Sequence, residues 1–388
     1  MCGIAGAFNS SSLTLDILDS ALSTLSHRGP DSSSHLTSPP FIGGMVRLSI
    51  NDILGGDQPF LSSDNNIIVF YNGEIYNSKS LRNHLETLSF KFSTTSDGEV
   101  IPYLFQVYGP KAFDMLDGMF SISLFDKSSQ TFYLVRDRCG EKPLYYHFCP
   151  SSHTLYYASE LKALTKILPF RPLLNNQSVW DMPTFLWIPQ PDTIYSNIHS
   201  LEPGKFLKIS LNSFENISYY SPVDIDISSI TDLESHLYDL LDKSVQDRLV
   251  SDVPVGCFLS GGLDSSIITY LASKHVDTLD TFSVSFSESI DPIHGFYDES
   301  ILAAEFADIL GTTHHTTQLT ADVALELIDD FSYFSDQPFA VSSGLGVSLV
   351  SKLASSLGIK VLLSGDCADE LFGGYSWYSL LPYLSYPS

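Results

Sequence analysis

Two groups that nucleophilic catalysis needs can lie together at the second residue of the chain, Cys2. A small residue at this position permits removal of the initiator methionine, which leaves the cysteine with a free α-amino group beside its thiol. The reference pKa of an α-amino group is about 7.7–8.0, so near neutrality a useful fraction can accept the thiol proton. The thiol is itself a strong nucleophile. A cysteine at position 2 can be incidental, so the hypothesis depends on the rest of the sequence.

A glycine pair follows a short apolar strand, predicted at 255–259, in the second half of the chain. The sequence there is Ser260-Gly261-Gly262-Leu263-Asp264-Ser265-Ser266, and a helix is predicted from Ser265. Adjacent glycines let the backbone turn sharply and approach an anion closely, and the helix start offers unpaired N–H groups. The loop lacks the lysine of the common nucleotide-binding loop. We therefore expect a Mg²⁺ ion held by Asp264 to neutralise phosphate charge.

A second loop, residues 364–375, follows a strand predicted at 361–363 and again places acidic groups at the carboxyl end of a strand. Ligands of parallel sheets bind at that edge. The alternative is an ordinary strand–helix turn at each place, with Asp264 and Asp369 as helix caps. Two such loops in one region favour the ligand site over the alternative.

These two loops resemble those of the ATP pyrophosphatases, enzymes that cut ATP between its α- and β-phosphates. Residues 251–266 with 364–375 resemble asparagine synthetase in particular. Cys367 stands where glycine is usual, and a positive φ there would strain a residue that carries a β-carbon. The resemblance implies ATP binding by Leu259, Ser260, Gly261, Gly262, Asp264, Ser265, Val284, Ser364 and Gly365, metal binding by Asp264 and Asp369, and a catalytic role for Asp366.

Six short motifs in the first 140 residues remove the ambiguity about Cys2. In this order they resemble the class II glutamine amidotransferase domain, whose fold is an amino-terminal-nucleophile sandwich of two antiparallel sheets between helix layers. The motifs are Cys2-Gly3-Ile4-Ala5-Gly6, His27-Arg28-Gly29-Pro30-Asp31, Arg47-Leu48-Ser49-Ile50, Tyr71-Asn72-Gly73-Glu74-Ile75-Tyr76-Asn77, Ser96-Asp97 and Arg136-Asp137-Arg138.

Each glutamine group has a matching residue in these motifs. Arg47 can bind the α-carboxylate through a bidentate contact, and Asp97 can pair with the α-ammonium, with Glu74 beside the substrate. The Asn72 side chain and the Gly73 N–H can receive the oxyanion that forms when the thiol attacks the amide.

Plainer interpretations exist for the same residues. Arg47 and Asp97 could form a surface ion pair. The dipeptide Asn72-Gly73 is typical of a type I′ hairpin turn, and a turn is compatible with an oxyanion role. The neighbouring pair at 27–28 is expected to lie at a solvated helix end, without a chemical role.

The first half of the chain is predicted to be rich in β-strands, which would position these groups. Helices are predicted around 15–25 and 100–107, where leucine and valine recur at helical spacing. The strands are short β-branched or aromatic runs at 2–8, 44–50, 66–71, 119–125, 131–135 and 155–158.

The second half is predicted to alternate strands and helices, which favours a parallel sheet. Thr231 and Glu234 form a capping box at the start of its first helix, with Leu233, Leu237, Leu241 and Val245 on one face. Further strands are predicted at 255–259, 281–286 and 361–363, with helices from 265, 299 and 370.

These patterns predict two domains: an α+β amidotransferase domain at 1–210 and an α/β ATP-binding domain at 231–388. The connection at 211–230 is predicted to be a linker because it contains the acidic stretch 224–229. A chain of 388 residues exceeds the size at which one core usually stops growing.

The amino-acid composition excludes some classes of binding partner. The chain has 20 Lys+Arg and 45 Asp+Glu, a formal net charge of −25, so nucleic acid and anionic membranes are not expected to bind. Its five cysteines are scattered, which fits a reducing compartment. With neither a signal peptide nor an apolar run of membrane-spanning length in the sequence, we expect a cytoplasmic enzyme.

The resemblance implies an activity that needs ATP and Mg²⁺. Glutamine would be hydrolysed at Cys2, and the ammonia would pass through the interior to the second site. There a carboxylate, aspartate in the best-known members, would be activated as an acyl-adenylate and converted to an amide with release of AMP and pyrophosphate. The alternatives are a ligase for another carboxylate, or a homologue that retains glutaminase activity and serves as a subunit or regulator.

The chain ends at Ser388, soon after the second loop, whereas family members continue into helices that bear a lysine for adenylation. We therefore expect the second domain to be incomplete, to adenylate poorly alone, and to self-associate or meet a second polypeptide. The final segment is rich in apolar residues, which are Leu371, Phe372, Tyr375, Trp377, Tyr378, Leu380, Leu381, Tyr383, Leu384 and Tyr386.

Overall fold

The computed structural model describes residues 2–222, 230–286, 298–341 and 343–381. It divides the chain into two compact units, each described here separately. The first comprises Met1–Ile225 with Ser332–Val341, and the second comprises Asp226–Phe331 with Ser342–Ser388. None of the described helices is long and apolar enough to cross a membrane.

The first unit contains twelve described strands and six described α-helices. The strands are β1 (Gly3–Phe8), β2 (Ser32–Ser38), β3 (Phe41–Arg47), β4 (Phe60–Leu61), β5 (Ile67–Ile75), β6 (Gly118–Asp126), β7 (Thr131–Arg136), β8 (Tyr145–Cys149), β9 (Thr154–Ala158), β10 (His199–Ser200), β11 (Lys205–Ile209) and β12 (Phe214–Ser218). The helices are α1 (Leu15–Ser23), α2 (Ser78–Thr87), α3 (Val100–Tyr108), α4 (Ala112–Met115), α5 (Leu161–Ile167) and α6 (Asn176–Phe185).

These strands form two six-stranded sheets, in the orders β10-β8-β9-β1-β3-β2 and β12-β11-β7-β6-β5-β4. Every pairing in both sheets is antiparallel. Aromatic rings join the facing sides: Phe8 lies 5.8 Å from Phe132 and Phe41 lies 5.5 Å from Phe125, centroid to centroid. The two sheets therefore pack face to face around a shared core.

Helices cover both outer faces of this sandwich. Leu18 of α1 and Leu164 of α5 are buried against the first sheet, and Leu85 of α2 and Leu104 of α3 are buried against the second. The four layers are helix, sheet, sheet and helix, which confirms the predicted sandwich fold.

The sequence pattern missed six strands of this unit, which are β2, β4, β8, β10, β11 and β12. β2, with the sequence SSSHLTS, is an edge strand whose residues are exposed or half-buried. It needs few apolar residues because it has no buried face. β12 occupies part of the segment 211–230 that was expected to be a linker, and it pairs with β11. The acidic stretch 224–229 lies outside the described residues.

The second unit contains a four-stranded parallel sheet in the order β15-β14-β13-β16, as predicted for this half. β15 escaped prediction because its sequence, THHTTQL, is polar and it lies at the edge. The elements are α7 (Leu233–Arg248), β13 (Val255–Phe258), α8 (Leu263–Ser273), β14 (Asp280–Phe286), α9 (Ser300–Leu310), β15 (Thr313–Leu319), α10 (Ala321–Ser335), α11 (Ser343–Ser356), β16 (Val361–Leu363) and α12 (Ala368–Phe372).

The predicted capping box at the start of α7 is wrong. The cap is Asp232, whose side chain accepts a hydrogen bond of 3.1 Å from the Ser235 N–H. The predicted apolar face is buried only towards its end: Val245 is 2% exposed, whereas Leu233 is 53% exposed. The beginning of α7 therefore contributes little to the core of this unit.

Candidate functional site

Cys2 lies at the amino end of β1, the strand between β9 and β3 in the first sheet. Its Sγ accepts a hydrogen bond of 3.4 Å from the Leu48 N–H and lies 3.7 Å from the Leu48 carbonyl oxygen. Its own carbonyl oxygen accepts 2.9 Å from Nε of Arg28. Burial raises the pKa of the thiol, and the Leu48 hydrogen bond and the charges of Arg47 and Arg28 counter that rise.

The thiol borders a cleft of about 520 Å³ in the first unit. All the residues that the sequence assigned to glutamine line it, namely Cys2, Arg47, Asn72, Gly73, Glu74 and Asp97. Cys2 immediately precedes β1, and the others come from β3, β5 and the turn at Asp97–Glu99, so both sheets contribute to the site. The fold therefore brings all the residues predicted for this site together in one cleft.

The Gly73 N–H points away from β6. The N–H groups of Tyr71 and Ile75, on either side along β5, are turned away from β6 and donate at 2.7 Å to Oε1 of Gln58 and Oδ2 of Asp97. Because backbone direction alternates along a strand, the Gly73 N–H lies between these two, and no described group accepts it. It is a backbone donor left for a ligand.

The hairpin-turn interpretation of Asn72-Gly73 is wrong. Both residues lie within β5 and pair with Ser121 and Phe120 of β6. A β-carbon at Gly73 would come within 2.0 Å of the Met119 carbonyl oxygen, so only glycine fits this close approach. The register with β6, which is a long-range property, decides against the turn.

The Asn72 side-chain amide does not use all of its hydrogen-bonding groups within the described part of the protein. It is fully buried, and its Nδ2 lies 3.5 Å from Oγ of Ser121. Its Oδ1 is buried without a hydrogen-bond partner among the described residues. A 180° rotation of the amide exchanges the two atoms, so Asn72 can direct either a donor or an acceptor at a ligand in the cleft.

Two carboxylates sit close together in the cleft. Asp97 Oδ2 accepts hydrogen bonds from the Tyr71 hydroxyl and the Ile75 N–H, both at 2.7 Å. Burial raises the pKa of Asp97, although these hydrogen bonds oppose it. Burial and the nearby charge of Asp97 raise the pKa of Glu74 to about 8. A cation arriving here would relieve both carboxylates, which is the property an ammonium site requires.

Arg47 does not pair with Asp97, so the surface ion pair is wrong. It is 6% exposed, and its NH1 lies 3.0 Å from Oδ1 of Asp57. Its terminal nitrogens also donate to the backbone carbonyls of 51–53 at 2.6 to 3.3 Å. The guanidinium therefore holds the loop that follows it, and a ligand carboxylate would have to replace some of these contacts.

The expectation of a solvated helix end is wrong for Arg28, which is half-buried, whereas His27 is exposed but has a partner. Both donate to the buried carboxylate of Glu160, at 3.0 and 2.9 Å. Burial opposes ionisation of Glu160, but the hydrogen bonds and charges of His27, Arg28 and Lys162 outweigh it and lower the pKa of Glu160 to about 2. Sequence reasoning missed this network because Glu160 lies more than 130 residues from both partners.

Two further cleft residues escaped the sequence analysis. Gln58 holds the backbone of Tyr71 through both ends of its amide, at 2.7 and 2.9 Å. Lys142 is 4% exposed, lines the cleft, and has a pKa lowered by burial. A buried lysine has no local sequence signal that distinguishes it from a surface lysine.

The two glycine-containing loops of the second unit lie against each other. They follow β13 and β16, which are neighbouring parallel strands. A β-carbon at Gly365 would stand 2.7 Å from the Ser265 nitrogen and 2.8 Å from Cβ of Asp264. The loops therefore share one edge of the sheet, in line with the position predicted for the ligand crevice.

The first of these loops is organised by its serines. The Ser260 N–H donates to Oγ of Ser265 at 3.1 Å, and the Gly262 N–H donates to Oγ of Ser260 at 3.2 Å. Gly261 has a φ of +82°, a conformation that suits glycine. Leu259 is 1% exposed, and Val284 packs in a separate apolar cluster.

The helix-cap interpretation of Asp264 and Asp369 is wrong. The residues at the caps are Gly262 and Cys367, and neither acidic residue accepts a capping bond as the cap residue. Cys367 has a φ of +75°, so the strain predicted for a positive φ at this position is present. Asp264 and Asp369 lie in the first turns of their helices.

Asp264 and Asp369 can bind a magnesium ion only if other groups, such as substrate phosphates, supply the remaining ligands. The described parts of the chain hold no group of three or more His, Cys, Asp or Glu side chains that could bind a metal. Mg²⁺ is usually bound by one or two carboxylates together with substrate phosphates. Asp264 and Asp369 match that pattern in number and type. Asp366, in the same loop as Asp369, accepts a hydrogen bond of 3.0 Å from Oγ of Ser364.

Comparison with known families divides the chain in two. Residues 1–220 match the family described as glutamine amidotransferase domain, and residues 236–386 match the family described as asparagine synthase.

Three curated relatives resemble nearly the whole chain. "Asparagine synthetase [glutamine-hydrolyzing] 1" of Bacillus subtilis is 32% identical over 100% of the chain and 62% of the relative. "Asparagine synthetase [glutamine-hydrolyzing] 2" of Bacillus subtilis is 36% identical over 97% and 52%. "Asparagine synthetase B [glutamine-hydrolyzing]" of Escherichia coli is 32% identical over 98% and 66%. The chain thus spans 52% to 66% of the length of these relatives.

Proposed function

Because the chain belongs to the glutamine amidotransferase domain family, we propose that its first unit hydrolyses glutamine to glutamate and ammonia, with Cys2 as the nucleophile. The second unit would consume the ammonia in an ATP-dependent amide synthesis. Aspartate is the proposed acceptor, since the relatives that match both units are named as asparagine synthetases.

The first reaction needs only groups of the cleft. Once Met1 is removed, the α-amine of Cys2 takes the thiol proton and the sulfur attacks the carboxamide carbon. The Gly73 N–H and the Asn72 amide receive the oxyanion. Collapse breaks the C–N bond, the α-ammonium returns the proton to the leaving nitrogen, and ammonia departs. Water then hydrolyses the thioester to glutamate and restores the thiol.

One observation carries this proposal: a backbone donor without a described partner and a half-buried thiol border the same cleft. No group in the described part of the chain accepts the Gly73 N–H, which lies between two occupied N–H groups of β5, and Cys2 lines the same space. The raised pKa values of Glu74 and Asp97 support an ammonium ligand beside them. Arg47 is the cation available for an α-carboxylate.

The second reaction is supported by the two contacting loops and by the asparagine synthase match at 236–386. ATP would bind along residues 260–266 and beside Ser364 and Gly365, with Leu259 and Val284 at the adenosine. Asp264 and Asp369 would hold Mg²⁺, which neutralises phosphate charge, and Asp366 would act at the reacting carboxylate. The aspartate side chain would become an acyl-adenylate, and ammonia would displace AMP.

The test separates the two activities. Glutamate release from glutamine is measured without ATP in the wild type and in Cys2→Ala, and AMP release is measured with ATP, Mg²⁺ and aspartate. Loss of glutamate release in Cys2→Ala supports the first reaction, and its persistence rejects it. Production of ADP and phosphate would reject the second reaction. Glutamate release with no AMP for any carboxylate would favour a glutaminase-competent subunit or regulator.

A further inference from the structure

A residue far along the chain from the cleft caps a helix of the first unit. Asp336 follows α10 and accepts hydrogen bonds from the N–H groups of Leu161 and Lys162, the latter at 2.9 Å. Nζ of Lys162 also lies 3.4 Å from the Asp336 carboxylate. The side chain of Asp336 is 6% exposed, so these bonds are shielded from water. Asp336 therefore fixes the beginning of α5.

The beginning of α5 carries the carboxylate that holds Arg28. Glu160 is the residue before α5, is 4% exposed, and accepts 2.5 Å from Nζ of Lys162 and 2.9 Å from NH1 of Arg28. Arg28 in turn donates through Nε to the carbonyl oxygen of Cys2 at 2.9 Å. A continuous series of charged contacts thus runs from Asp336 to the backbone of the nucleophile.

The same junction also holds β1 by a second route. Oγ of Ser159 accepts from the Ile4 N–H at 2.9 Å, and the Ser159 N–H donates to the Ile4 carbonyl oxygen at 2.9 Å. Ser159 is adjacent to Glu160, so both Cys2 and Ile4 are tied to the segment that α5 begins. Any displacement of this segment moves the start of β1 on both sides of Gly3.

Asp336 is itself held firmly, because its neighbours bind the first unit as well. Oε1 of Gln337 accepts from the Ile194 N–H at 3.3 Å, and the Ala340 N–H donates to the Leu186 carbonyl oxygen at 2.8 Å. The Phe334 ring lies 5.0 Å from the ring of His27. This segment, Ser332–Val341, is part of the first unit although its flanking sequence belongs to the second.

We propose that Asp336 is a positioning residue for the Cys2 nucleophile, acting through Lys162, Glu160 and Arg28. The proposal rests on the glutaminase reaction proposed for Cys2. When the carboxylate is lost, Glu160 is the one anionic partner that remains to Lys162 among the described residues, and Lys162 competes with Arg28 for it. Arg28 is then free to release the Cys2 carbonyl, and the thiol loses its fixed place at the edge of the cleft. Glutamine binding is unaffected because Asp336 does not line the cleft.

The experiment uses the full chain and two graded variants. Asp336→Asn removes the charge and tolerates the positive φ of 66°, and Asp336→Gly also removes the capping oxygen. Asp330→Asn is the matched control, since Asp330 lies on α10 and forms an exposed ion pair with Lys352 at 2.7 Å. We expect kcat for glutamine hydrolysis to fall about tenfold in Asp336→Asn and further in Asp336→Gly. We expect KM to stay within about twofold.

A second measurement distinguishes positioning from general destabilisation. Amide hydrogen exchange is followed in peptides from β1, which contains Ile4, and from β6, which lies in the other sheet. The proposal requires faster exchange in β1 alone. Equal acceleration in both strands, or an unchanged kcat in folded Asp336→Gly, overturns it. If the wild type and Cys2→Ala both fail to release glutamate, the proposed function fails, and the exchange comparison still decides the positioning of β1.

Discussion

The hydroxyl of Tyr71 donates a 2.7 Å hydrogen bond to the carboxylate oxygen of Asp97 that also accepts the Ile75 N–H. Tyr71 is buried and Asp97 is half-buried. The bond stabilises the ionised form of Asp97 and so opposes the rise in its pKa that burial causes. It therefore sets how readily Asp97 can bind a cation.

Removing that hydroxyl should weaken glutamine binding. In Tyr71→Phe the pKa of Asp97 rises further, so less of the anion is present to meet an ammonium group. We expect KM for glutamine to rise about tenfold with a smaller change in kcat, because the contact is made before and during reaction alike. Tyr133→Phe, which removes a hydroxyl from β7 away from the cleft, is the control. A KM for Tyr71→Phe equal to that of the control would contradict the assignment of Asp97.

The oxyanion role of Asn72 predicts a change in kcat and not in KM, the opposite of the effect expected for Tyr71→Phe. Asn72→Ala should lower kcat by about 10²-fold while KM changes little, because the donor matters when negative charge develops on the substrate oxygen. Ser121→Ala removes the other member of the 3.5 Å contact and serves as the control for lost packing. Steady-state glutamate release at saturating glutamine decides the matter. Equal losses in the two variants would count against an oxyanion role.

The raised pKa of Glu74 predicts a stability effect that depends on pH. Its pKa is about 8 in the folded protein against 4.5 for the free side chain. The folded state therefore prefers the protonated form, and this contribution to stability is complete below pH 4.5 and lost as pH rises towards 8. Glu74→Gln, which remains neutral, should match the wild-type Tm at pH 4.5 and exceed it at pH 8.5. Thermal unfolding at the two pH values is the measurement, and a constant difference would refute the shift.

Glutamine affinity should follow the same ionisation. As pH rises through about 8, Glu74 becomes an anion beside Asp97, so KM for glutamine should fall across that range in the wild type. Glu74→Gln should lack this dependence. A parallel pH profile for both proteins would show that Glu74 does not face the ammonium group.

The acidic residues of the second unit should affect only the ATP-dependent reaction. Asp264→Asn and Asp369→Asn are each expected to abolish Mg²⁺-dependent AMP formation, because each removes one of the few carboxylates available to the ion. Glutamate release should continue in both. Asp277→Asn, an exposed residue after α8, is the matched control. The comparison requires measurable AMP release by the wild type with aspartate, and AMP release by either variant at the wild-type rate would reject the metal assignment.

Sequence alone located most of the cleft because its residues lie in compact motifs on strongly apolar strands. The parallel sheet was predicted for the same reason, since strands such as β13 carry their signal in a few consecutive residues. Prediction from local sequence failed at Asn72-Gly73, because this dipeptide is compatible with both a tight turn and the interior of a strand. The pairing with Ser121 and Phe120 settles that choice, and no short window of sequence contains it.

The contacts between Asp336 and the beginning of α5 are even harder to predict from the sequence. Leu161 and Asp336 are separated by 175 residues and meet only in the folded chain. Nothing in the composition of the segment around Asp336 distinguishes it from any acidic residue after a helix. The polar edge strands β2 and β15 were missed for a related reason, because strands with little buried surface show no apolar alternation.

The first unit consists of two separate segments of the chain, so it cannot be expressed whole as one continuous fragment of its own. A fragment ending at residue 222 would encode every strand of both antiparallel sheets and every residue named in the cleft. It would still lack Ser332–Val341 and with it the cap on α5. Separate expression of the amidotransferase half would therefore expose the backbone N–H groups of Leu161 and Lys162 to water, and a purified fragment could be folded and yet misaligned at its nucleophile. Designs that exchange this half between proteins should carry the ten-residue return segment along, grafted as a loop.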